Sequence, residues 1–92
     1  MKKHIITKGD YTLLKVADGF IVINNKGAYS NHTHVNDVSL GTVLVDLAYN
    51  QIVPSDKRII YSLLRIVTDV NKIYRWELTQ KLRLIKQKRR RN

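Results

Sequence analysis

At 92 residues and 43% hydrophobic content, the chain has room for one domain around one modest core, which excludes global disorder. It contains no cysteine, so disulfides, thiolate metal sites and a cysteine nucleophile are excluded. The net charge of +10 is uneven: Lys72 to Asn92 carries nine Lys/Arg against the single acid Glu77, net +8, and residues 1–71 carry eight basic groups against six Asp, net +2.

The N-terminal apolar run is too short for a signal peptide, and no stretch approaches the ~18 apolar residues needed to span a bilayer. The expectation is a soluble cytoplasmic protein without membrane contact. A further short strand is expected to start at Thr7 or earlier. Tyr11 to Val16 alternates imperfectly, and Phe20-Ile21-Val22-Ile23 reads as its return strand. Asp18-Gly19 between them predicts a hairpin with a type I′ turn, in which both central residues need positive φ. Asn24-Asn25-Lys26-Gly27 ends the return strand.

Residues 28–38 are polar and aperiodic, which predicts a loop with one extended piece. Ser39 is the expected cap of a first helix whose apolar positions are Leu40, Val43, Leu44, Leu47 and Ala48, running to about Asn50. Pro54 breaks the chain, and Ser55 or Asp56 caps a second helix. Its apolar face combines Ile59, Leu63, Ile66 and Val67, widened by Ile60 and Leu64. A polar break at Thr68-Asp69 leads to a third helix from about Val70.

At ~100° per residue, Tyr74, Leu78, Leu82 and Ile85 form one stripe of the third helix and should face the body. Lys72, Arg75, Arg83, Lys86 and Arg90 form an adjacent basic stripe, extended by Lys88, Arg89 and Arg91. Ile73, Trp76 and Leu84 lie on a further side, where they can form a partner interface; for a small domain the favoured expectation is that Trp76 packs on the hairpin. The fold class expected is α+β: an N-terminal β-hairpin or small antiparallel sheet followed by three helices, the last long and basic. Residues 1–84 are expected to form a single compact domain and residues 85–92 a fraying basic tail.

The order of pieces has a counterpart. The hairpin from Gly9 to Asn24, then Asn31-His32-Thr33-His34-Val35, Ile52-Val53-Pro54 and Leu63-Leu64-Arg65-Ile66-Val67-Thr68-Asp69 resembles small uncharacterised proteins encoded by phages and prophages of Gram-positive bacteria. The likeness covers roughly residues 7–80. It implies a bacterial host cell and no particular chemistry. It also suggests, by analogy of context, a protein that disarms host machinery such as a CRISPR nuclease.

Three functional readings follow. The basic stripe can contact the DNA or RNA backbone through phosphates, without base readout: zinc-finger spacing, a basic zipper and RNA-binding aromatic signatures are all absent. The alternative is a protein-binding inhibitor of a host defence nuclease or nucleoprotein, acting through Ile73, Trp76 and Leu84. The third reading is a metal site. His32 and His34, if extended, project to one side as a His-x-His zinc pair does, with His4, Asp37 or Asp10 completing it; otherwise the two histidines fix the loop. No cofactor is expected. The Asp spacing gives no catalytic pair, and neither phosphate-loop nor dinucleotide pattern is present. The reading is of a non-enzymatic protein, monomer or homodimer.

Overall fold

The computed structural model describes residues 3–26, 31–67 and 71–90, with side chains as far as Gln87. Four strands come first: β1 Lys3–Lys8, β2 Tyr11–Val16, β3 Gly19–Asn24 and β4 His32–Val35. Three helices follow: α1 Val38–Asn50, α2 Lys57–Ile66 and α3 Lys72–Arg90. The architecture is therefore α+β, with an antiparallel sheet in the order β1-β2-β3-β4.

The β2–β3 hairpin forms where expected, but not with a type I′ turn. Val16 pairs with Gly19, so the loop residues are Ala17 and Asp18. Among the described residues Gln51 is the only non-glycine with positive φ, which rules out the mirror-image turn. Gly19 takes the unusual geometry instead, at φ 134°. The single extended piece foreseen between residues 28 and 38 is β4. The reading of a strand near Thr7 is realised as β1, which is irregular between His4 and Ile6.

Register decides which side chains meet the helices. Ile6, Leu13, Val22 and Thr33 form one cross-strand row, and Lys15, Phe20 and Val35 another. Leu13, Val22, Thr33 and Val35 are buried against the helices. Alternation sends His4, Leu14, Ile21 and His34 to the opposite face, beside the row of Thr7, Thr12, Ile23 and His32. The sheet thus has a core face and an outer face, as antiparallel sheets commonly do.

Helix α1 starts two residues before Leu40, and its cap is Asp37 rather than Ser39. The Asp37 carboxylate accepts from the Leu40 amide at 2.7 Å, and a charged acceptor satisfies that free donor better than a hydroxyl. The buried face is also shifted. Gly41, Leu44, Val45 and Ala48 are buried, while Val43, expected inside, is 43% exposed. The cause is close approach: Gly41 lets α1 settle onto Leu13, whose Cδ2 would lie 3.0 Å from a Cβ placed there and whose Cδ1 would lie closer still. The chain leaves α1 through Gln51 at φ 55°, and the Ile52 amide donates to the Leu47 carbonyl at 2.9 Å.

Asp56 caps α2, accepting from the amides of Arg58 and Ile59 at 2.8 and 3.1 Å. Ile60, Leu63, Ile66 and Val67 are buried behind it. Thr68 and Asp69, read as the polar break, and Val70, read as the start of the third helix, lie outside the described residues; α3 itself begins at Lys72.

Tyr74, Leu78 and Leu82 of α3 are buried and Ile85 is partly buried against the core, as the periodicity predicts. Tyr74 also ties α3 to α1 and to the segment that follows it: its hydroxyl donates to the Ile52 carbonyl at 2.7 Å and lies 3.2 Å from the Leu47 carbonyl. Burial, with smaller contributions from Tyr11 and Glu77, pushes that phenol far above its usual range. No helix among the described residues is long and apolar enough to cross a membrane.

Candidate nucleic-acid interface

The fold redistributes the charge that the linear reading located. Residues 57–92, which contain both α2 and α3, carry twelve Lys/Arg against Asp69 and Glu77, the whole net +10. Residues 1–56, with the sheet and α1, carry five Lys against five Asp, net zero. The cationic element is therefore a helical hairpin standing on a neutral body.

Helix α2 contributes what the sequence reading missed. Arg58 and Arg65 are seven residues apart, two helical turns, and both are exposed. No acid accompanies them in α2. The spacing was legible, but only the packing of α2 against α3 adds them to the same charged element. Tyr61 lies between them in the chain, 38% exposed, and the Lys86 ammonium sits 5.4 Å from its ring centroid.

The residues expected to contact phosphate differ in what they already do. Lys72 and Arg83 are exposed, and neither makes a hydrogen bond or ion pair among the described residues. They are eleven residues apart, about three helical turns, and so lie along one line of the helix. Arg75 has structural work instead: its Nη1 donates to the Leu64 and Val67 carbonyls, at 3.0 and 2.9 Å. Those carbonyls belong to the last turn of α2 and its cap, where a cation also complements the helix dipole. The adjacent Ile66 carbonyl accepts from the Asn24 side chain of β3 at 2.9 Å. Lys88, Arg89 and Arg90 belong to α3, but their side chains, like all of Arg91, lie outside the described residues.

Ile73, Trp76 and Leu84 are 79%, 63% and 56% exposed. Packing of Trp76 on the hairpin is thereby overturned, because α3 turns its Tyr74–Leu78–Leu82 side to the core. The structure leaves these three as a second apolar stripe facing solvent.

His32 and His34 do project to one side of β4, with ring centroids 5.2 Å apart and near-perpendicular planes. The ligands offered to complete a metal site are elsewhere. His4 is in β1, three strand spacings away, or ~14 Å, with its Nε2 2.6 Å from Thr7 Oγ1. Asp37 caps α1, and Asp10 faces Lys26 at 3.9 Å. Among the described residues no group of three or more His, Cys, Asp or Glu is placed to hold a metal ion. The pair therefore remains two imidazoles on the outer face of an edge strand.

Comparison with known proteins adds no relative: no family model, no curated protein and no solved structure matches this chain.

Proposed function

We propose that this chain is a non-enzymatic accessory protein of phage type that binds nucleic acid through backbone phosphates, in the cytoplasm of a bacterial host. One observation carries the reading: the entire net charge of +10 belongs to residues 57–92, on a body of net charge zero. A solubilising charge needs no such segregation, whereas a polyanion rewards cations gathered on one element. Arg58, Arg65, Lys72, Arg83 and Lys86 are the proposed phosphate ligands within the described side chains, with Lys88, Arg89, Arg90 and Arg91 extending them along the chain. Arg75 is a weaker candidate, since its guanidinium is held by α2. The surface offers charge without a grouping for base readout, so affinity should depend little on sequence and steeply on salt.

The test is a salt titration of the full chain on a random duplex and on a single strand, from about 50 to about 200 mM. Replacing Arg58, Arg65 and Arg83 together by Gln should flatten the slope of log affinity against log salt by about 0.9 for each phosphate no longer neutralised on the duplex. Replacing Lys3 and Lys15 on the sheet should leave it unchanged. Equal effects of the two sets would defeat the proposal.

A second reading has its own observation. Ile73, Trp76 and Leu84 form an exposed apolar stripe, a feature more typical of protein contact than of phosphate contact. An inhibitor of a host nuclease or nucleoprotein would use it, and Trp76→Ala would then abolish inhibition while sparing affinity for free nucleic acid.

A further inference from the structure

The exposed side of α3 has an internal symmetry. At about 100° per residue, Ile73, Trp76, Gln80, Leu84 and Gln87 fall within an arc of about 80°, opposite the buried stripe. The steps between them are three, four, four and three residues, the same read in either direction about Gln80. A spacing of this kind matches itself when a second helix lies antiparallel across it.

We infer that a second copy of this chain covers this stripe, through an antiparallel α3–α3 contact with its two-fold axis at Gln80. In that arrangement Trp76 of one copy shares a layer with Leu84 of the other. Gln80 meets its own equivalent, and Ile73 is level with Gln87. The layers alternate side to side as facing positions do in antiparallel helix pairs. The three most exposed apolar residues of α3 are then covered together.

The flanks agree with this pairing. On one side Glu77 of each copy comes within ~3 Å, along the helix axis, of the level of Lys81 of the other. Glu77 is the only acid of α3, is exposed, and makes no ion pair among the described residues. On the other side the Arg83 guanidinium of one copy lies beside the Trp76 ring of its partner, a favourable cation–π pairing. Isologous contact requires such self-complementarity on both flanks. The +10 carried by each copy opposes association, so added salt should strengthen this contact, opposite in sign to phosphate binding. The contact shares Arg83 with the nucleic-acid reading but does not rest on it, and it is tested without nucleic acid.

The measurement is sedimentation equilibrium of the full chain from about 10 to about 500 μM, the range suited to an interface well below the ~1,200 Å² of a standard complex. Low and high salt are compared. The expected mass rises from 10.7 kDa toward twice that with concentration, more readily at high salt. Trp76, the only tryptophan, should shift its emission to the blue over the same range. Glu77→Lys should weaken association at least tenfold, and Glu77→Lys with Lys81→Glu should restore it. These side chains are not buried and make no bond among the described residues, so thermal unfolding should stay near wild type and serve as the folding control. A mass fixed at 10.7 kDa at the highest concentration in both salts would overturn the inference. So would a double exchange no better than the single one.

Discussion

Arg75 separates structural from functional charge on one helix. Its Nη1 is held by two carbonyls at the end of α2, Leu64 and Val67. A charge-assisted hydrogen bond is worth ~1.5–3 kcal/mol when shielded. Arg75 is exposed, so solvent competition reduces each bond to about 0.5–1 kcal/mol. Loss of the cation from a helix C-terminus adds about 0.3–1 kcal/mol. Arg75→Gln should therefore destabilise the fold by about 2 kcal/mol. For a domain of this size that lowers Tm by roughly 8–16 °C. Arg75→Lys should lie between the two, since one ammonium replaces a planar fork. The assay is guanidinium or thermal unfolding followed by circular dichroism, with Arg83→Gln as the companion. Arg83 makes no side-chain bond among the described residues, so its loss should stay within about 0.5 kcal/mol of wild type. If Arg75→Gln unfolds within that same margin, the capping argument is wrong and Arg75 rejoins the free cations. In nucleic-acid titrations the order should reverse, with Arg83→Gln changing the salt slope more than Arg75→Gln.

Two further outcomes follow from the packing. Gly41→Ala should destabilise by about 1–3 kcal/mol in denaturant unfolding despite the better helix propensity of alanine, because the new methyl meets the fully buried Leu13 side chain; unchanged or raised stability would show that α1 can lift from the sheet without cost. Tyr74 and Tyr11 are both pushed above the ordinary phenol value of 10.0, chiefly by burial. The folded state keeps their protons after the unfolded chain begins to lose them, so their contribution is complete below pH ~10 and is lost as pH rises above it. Unfolding free energy should fall by up to ~1.4 kcal/mol per pH unit for each tyrosine above that point, and Tyr74→Phe should remove much of this slope; an unchanged alkaline limb would refute the assignment.

The candidate surface was partly legible in the chain. The density of Lys and Arg after Lys72 announces a cationic element, and helical period alone sorts Tyr74, Leu78 and Leu82 from Lys72 and Arg83. Arg58 and Arg65 look like isolated charges in sequence and join that element only because α2 and α3 pack as a hairpin. Arg75 shows the reverse: it is indistinguishable from Arg83 in sequence, yet the end of α2 claims it. The histidine pair was visible by its spacing, while the separation of His4 from it depends on strand order.

Local chemistry decided much of the fold. The turn signal at Asp18-Gly19, the carboxylate of Asp56, Pro54, and three runs of apolar period are short-range signals, and they place a hairpin before three helices. Charge is also a local property, so a cationic C-terminal half follows from composition. Tertiary structure decided what depends on contacts between distant residues. It chose Val45 over Val43 for the core, because Gly41 meets Leu13 across twenty-eight positions of chain. It left Trp76 in water, because one helix of this width can turn only one stripe to a small core.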